Sequence, residues 1–146
     1  MIAKTGFITY FQEVLYIVTS AICNYEVKRE LIRRKNTKEL HSLKQLKSLI
    51  DSLNVDEPTL DLAAELWAEA RNKGLPTADD NRLDADVIIC AQYQLLAEKY
   101  PGRYVVIATT NVKHLSRFTE AVIMARYKFL IGEDNLTYNI KSLFIR

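Results

Sequence analysis

Glycine, proline, cysteine and long apolar runs are all scarce in this sequence, and each scarcity excludes something. Four glycines and three prolines among 146 residues leave no room for long flexible linkers. Two cysteines, Cys23 and Cys90, sit in apolar surroundings and match no metal or disulfide framework. They read as reduced, buried thiols of a cytoplasmic protein. No run approaches the ~18 apolar residues needed to span a membrane. The opening Met1-Ile2-Ala3-Lys4 leads into Tyr, Gln and Glu rather than a clean signal peptide. What remains is a chain that is 49% hydrophobic, enough for a single domain over residues 1–146 with a core of its own.

Net charge is only +2, but it is unevenly spread. Residues 1–50 carry nine Lys/Arg against four Asp/Glu, residues 51–100 carry four against eleven, and residues 101–146 seven against three. An acidic centre between basic flanks suits a metal-dependent enzyme acting on a polyanion. Ordinary solvated helix faces give the same pattern.

The most informative stretch is Leu83-Asp84-Ala85-Asp86-Val87-Ile88-Ile89-Cys90-Ala91. Val87, Ile88, Ala91 and Leu95 recur at helical spacing, so a buried helix opens where the two acids stand. Asp84 and Asp86 suit a metal site, and equally an N-cap with an acidic neighbour. Upstream, Lys73 to Asn81 reads as loop, with Gly74 as a left-handed helix cap.

Taken in order, Gly6–Phe11 is strand or short helix, and Glu13–Ser20 is a β-branched, aromatic run that predicts a buried, parallel strand. Ser20 opens a helix from Ala21 to about Lys35. It carries Glu26 one to two turns in, near the sheet edge where open α/β folds hold ligands. Thr37 is expected to cap a second helix with an apolar stripe Leu40, Leu43, Leu46, Ile50 and Leu53, on which His41 is a surface residue. Val55 forms a very short strand, and Pro58 starts a third helix packed through Leu60, Ala63, Ala64, Trp67 and Ala70, with Trp67 in the core. After the helix over 84–99, Arg103–Thr109 is the clearest strand, ending in Thr109-Thr110-Asn111. This order predicts an α/β domain in three layers.

Three segments occur in sequence: Ser20-Ala21-Ile22-Cys23-Asn24-Tyr25-Glu26-Val27-Lys28-Arg29-Glu30-Leu31, then Leu83–Ala91, then Ala108-Thr109-Thr110-Asn111-Val112-Lys113-His114-Leu115. Together they resemble the PIN-domain nucleases, most nearly the VapC-type toxins of toxin–antitoxin pairs, over residues 15–118. The resemblance implies a three-layer PIN-like fold with a central, mainly parallel sheet flanked by helices. It also implies a Mg²⁺- or Mn²⁺-dependent endoribonuclease in which metal-activated water attacks the RNA phosphodiester. Glu26, Asp86 and Asn111 then fall at catalytic positions. Glu26, Asp86 and Asp84 are the metal-ligand candidates, and Thr110 is a supporting neighbour. Lys28, Arg29, Arg33 and Arg34 would hold the RNA backbone. A cognate antitoxin and a homodimer are the partners it implies.

The sequence departs from the family twice. The family's first strand, central in its sheet and carrying the first catalytic Asp, has no counterpart, so an N-terminally truncated chain is expected. A catalytically inactive module that still binds RNA or an antitoxin is the alternative this raises. Residues 119–146 form an atypical C-terminal extension. Its apolar runs Ala121–Met124, Phe129–Ile131 and Leu143–Ile145 read as an added strand, a dimer interface or the product of a frameshift.

Overall fold

The computed structural model describes residues 16–75, 84–103, 105–109, 115–116, 118–119, 121–123 and 142–145. In chain order these form β1 (Tyr16–Ser20), α1 (Ala21–Arg33), α2 (Thr37–Lys47), β2 (Asp51–Leu53), α3 (Glu57–Asn72), α4 (Ala85–Lys99), β3 (Val105–Thr109), β4 (Ala121–Ile123) and β5 (Ser142–Ile145). The fold is mixed α/β. Among the described residues no helix is long and apolar enough to cross a membrane.

The strands make one sheet in the order β2-β1-β5-β3-β4. β1 runs parallel to β2 and β3 runs parallel to β4, while β5 is antiparallel to both β1 and β3. β1 is therefore parallel on one side only. Val18 and Ile107 both pair with Leu143, so β1 and β3 point the same way at the same level. Two of these strands, β4 at an edge and β5 in the centre, come from the C-terminal extension. Of the three readings of that extension, an added strand is the one observed, and β5 takes the central position. Gly6–Phe11 and Glu13–Leu15 lie outside the described residues, as do Thr110 and Asn111.

Local chemistry fixes most helix ends. Ser20 leaves β1 in an extended conformation, and its Oγ accepts the Ile22 backbone N–H at 3.2 Å, which starts α1. The cap of α2 is Asn36, not the expected Thr37: its Oδ1 accepts the Glu39 N–H at 3.1 Å. Asn is the stronger cap, and the residue after it becomes the first helical one. Pro58 does sit in the first turn of α3, behind the Asp56 cap. The short strand after α2 is Asp51–Leu53 rather than Val55.

α4 is the central helix. Val87 through Gln92 and Leu96 are buried, because a helix apolar nearly all round has no face to offer to water. It packs in one cluster with Val18 of β1, Ile22 and Cys23 of α1, Ala63 and Leu66 of α3, Val105 and Ile107 of β3, and Leu115. Cys23 and Cys90 are both buried and free of disulfides, as their surroundings predicted. The inward face of α3 keeps Ala63 and Ala70 from the expected set and adds Thr59 and Leu66. Leu60 and Trp67 are exposed. Both stripes have helical spacing and apolar residues, so periodicity alone does not choose between them.

Candidate functional site

β1 and β3 end level at Ser20 and Thr109, two buried polar residues at the carboxyl edge of the sheet. α1 leaves that edge directly. α4 returns to β3 through residues 100–104, so it runs back across the strand and its amino end lies toward the same edge. The sheet and its two connections thus bring the starts of α1 and α4 to one region.

Glu26 lies in the second turn of α1 and Asp86 in the first turn of α4. Glu26 is half-buried and lies three and four residues beyond Cys23 and Ile22, which face the core. Asp86 is half-buried in the first turn of α4, where the positive end of the helix dipole favours its charge. Asp84 has a different task. It is the N-cap of α4, only 7% exposed, and its Oδ1 accepts the backbone N–H groups of Asp86 and Val87 at 3.2 and 3.3 Å. Two amide donors of the helix terminus are satisfied by that one oxygen.

Two further polar ties brace this edge, and sequence reasoning passed over both. Asn24 Nδ2 donates to Ser52 Oγ at 3.1 Å, fastening α1 to β2. Gln92 is 3% exposed, and its Nε2 donates to the carbonyls of Leu53 and Asn54 at 3.3 and 3.0 Å. Its Oε1 is buried with no hydrogen-bond partner among the described residues. A signal was present: Gln92 and Gln94 interrupt the apolar run of α4, and Gln92 follows directly on the buried Val87–Ala91, where a polar side chain needs a partner.

The four basic candidates divide into two pairs. Arg33 donates to Glu30 through Nε and Nη2 at 2.8 and 2.6 Å, and Arg34 donates to the same carboxylate at 2.5 Å. Hydrogen bonds from Arg33 first and Arg34 second pull the Glu30 carboxyl down to about 2. Lys28 and Arg29 are exposed, and among the described residues no carboxylate pairs with either. Arg29 stacks over the Tyr25 ring at 5.5 Å from its centroid, and Tyr25 itself is 56% exposed. Tyr25 was not a candidate from sequence. Its mark was an aromatic residue four before an arginine on a polar helix face.

Among the described residues no three His, Cys, Asp or Glu side chains gather into a group that could hold a metal ion. The donors present therefore make no closed cage. Their chemistry does suit a largely hydrated Mg²⁺, which typically takes one or two carboxylates and keeps several waters. Comparison of the chain with protein-family models, curated proteins and solved structures gives no match.

Proposed function

We propose that the chain is a PIN-type ribonuclease module, three-layered in its finer architecture, that hydrolyses RNA phosphodiester bonds in the presence of Mg²⁺ or Mn²⁺. The observation that carries this reading is the convergence of the Glu26 and Asp86 helices on one sheet edge. Glu26 and Asp86 are the residues that would hold the ion, and the resemblance adds Asn111 with Thr110 beside it. When bound, the ion lowers the pKa of a water and stabilises charge on the leaving oxygen. Asp84 acts through the backbone: by capping α4 it fixes the turn that carries Asp86. Lys28 and Arg29 neutralise phosphates along the bound strand.

The test is RNA cleavage with Mg²⁺, with Mn²⁺ and with EDTA, comparing the native chain with Glu26→Gln and Asp86→Asn. Cleavage should require metal and fall at least about 100-fold in both variants, the loss of a ligand removing most of the ion's contribution. Cleavage that survives EDTA or Asp86→Asn overturns the assignment. Asp84, the N-cap, is untouched in Asp86→Asn, so the capped helix start stays in place.

A second reading has its own support. No three-donor group lies among the described residues, and Asp84 is engaged in capping. Both favour a non-catalytic module that binds RNA or an antitoxin. Intact RNA in every lane, together with salt-sensitive RNA binding, would select it.

A further inference from the structure

The exposed face of α1 combines an aromatic ring with two cations that meet no carboxylate among the described residues. Tyr25 is adjacent to Glu26 in sequence and more than half exposed, although a tyrosine of this size usually hides most of its ring. Arg29, one helical turn on, lies over that ring rather than against a carboxylate. Lys28 is exposed on the same helix. Arg33 and Arg34, further along, are both occupied by Glu30. The helix therefore offers a stacking surface and two cations that meet no carboxylate among the described residues at the end nearer Glu26, and two arginines that share the one Glu30 carboxylate at the far end.

We infer that Tyr25 and Arg29 form a platform on which one unpaired nucleobase stacks, with Lys28 and Arg29 holding the phosphates that flank it. The ligand class is single-stranded RNA. A base inside a duplex is already stacked on both faces, and an exposed ring on a convex helix cannot reach it. A flat π-face accepts any base, so the platform sets strandedness and register rather than sequence. The inference rests on the ribonuclease-module reading for the identity of the ligand, and it adds how that ligand is positioned.

The experiment uses the full chain in EDTA, so that no RNA is cut. The probe is a single-stranded RNA octamer carrying one 2-aminopurine, whose fluorescence falls when the base stacks. Native protein should quench the probe, and Tyr25→Ala should lose that quenching and weaken binding by about tenfold, the scale of one base–aromatic contact. Tyr25→Phe should keep both, since it keeps the ring. Arg29→Ala should lower the slope of log affinity against log salt by about one, whereas Tyr25→Ala should leave the slope unchanged. A duplex of the same sequence should bind more weakly, and equally to native and Tyr25→Ala. If the octamer binds native protein and Tyr25→Ala alike, the platform is overturned while the module reading stands. If native protein binds no RNA, both fall together. Tyr25 is exposed, so its replacement leaves the fold intact, and circular dichroism of the variant verifies this.

Discussion

α1 and α3 are built alike and dressed differently. Each opens on a polar side chain, Ser20 or Asp56, that accepts a backbone N–H of the first turn. Each closes with a residue at positive φ, Lys35 at 54° and Gly74 at 69°. The closing hydrogen bonds match as well: Asn36 N–H to Leu31 and Lys35 N–H to Ile32, against Leu75 N–H to Ala70 and Gly74 N–H to Arg71. Each carries an aromatic–arginine pair one turn apart, Tyr25 with Arg29 and Trp67 with Arg71, the latter the closer at 4.3 Å. Each has an ion pair one turn apart near its end, Glu30 with Arg34 and Glu69 with Lys73. The surroundings are opposite in sign. With their flanking residues, α3 sets Asp56, Glu57, Asp61, Glu65 and Glu69 against Arg71 and Lys73, whereas α1 sets Lys28, Arg29, Arg33, Arg34 and Lys35 against Glu26 and Glu30. A stacked aromatic–arginine pair is thus not a nucleic-acid site in itself. On α3 the field repels phosphate, and on α1 it attracts it.

The change with the largest expected effect inverts that field. Lys28→Glu with Arg29→Glu should weaken single-stranded RNA binding by about 100-fold near physiological salt, because two phosphate contacts become two repulsions. Trp67→Ala should leave binding unchanged. Fluorescence anisotropy with a labelled octamer reads both. Loss of binding in Trp67→Ala, or its persistence in the double reversal, would move the nucleic-acid face away from α1.

A smaller effect should come from releasing the compensated cations. Glu30→Gln frees Arg33 and Arg34, so RNA affinity should rise about five- to tenfold at low salt and the salt slope should steepen by up to about two. The matching change on α3, Glu69→Gln, should do nothing to RNA binding. Acid reaches the same state in the native chain only at extreme pH. The Glu30 carboxyl is lowered to about 2 from an ordinary 4.5, so its pairing is fully present above the ordinary value and is lost as pH falls through the lower one. From pH 7 down to 5, then, RNA affinity should not rise through Glu30. A rise in that window that Glu30→Gln abolishes would mean the Glu30–Arg33–Arg34 cluster does not hold in solution.

The contrast between the two helices also explains how much was legible beforehand. β1, α1, α4 and β3 were readable because each is a long segment with one strong period or one continuous apolar run. Their ends were readable from Ser20, Asp84 and the Pro101-Gly102 turn. The face of α3 was readable only in part: Ala63 and Ala70 are buried as expected, but periodicity could not choose Leu66 over Leu60 and Trp67. Only the neighbours, Val87 to Leu96 of α4 above all, decide which stripe is covered. β5 was unreadable for another reason. Its place between β1 and β3 depends on pairings more than 30 residues away in sequence, and local pattern carries no trace of them. At the site, element order put Glu26 within α1 and Asp86 in the first turn of α4, and both lie on those helices. The division of four basic residues into two that share Glu30 and two that meet no carboxylate among the described residues was not legible, since it depends on which rotamers meet Glu30.

The smallest expected effects separate the two helix ends themselves. Among the described residues nothing lies within 4 Å of where a Cβ on Gly74 would stand, so Gly74→Ala tests backbone strain. An L-residue in the left-handed region costs about 1 kcal/mol, and the variant should lose about that much stability. Lys35 already bears that strain, at φ 54°. Lys35→Gly should relieve it and gain about 0.5–1 kcal/mol, the freedom of glycine in the unfolded chain offsetting part of the benefit. Urea unfolding midpoints at constant slope measure both, and they should move in opposite directions. α1 and α3 contribute Ile22, Cys23, Ala63 and Leu66 to one core cluster, so the two changes should act on a single transition. If Lys35→Gly shifts only a separate, earlier transition, α1 unfolds apart from α3, and the sheet edge that carries Glu26 opens before the core does.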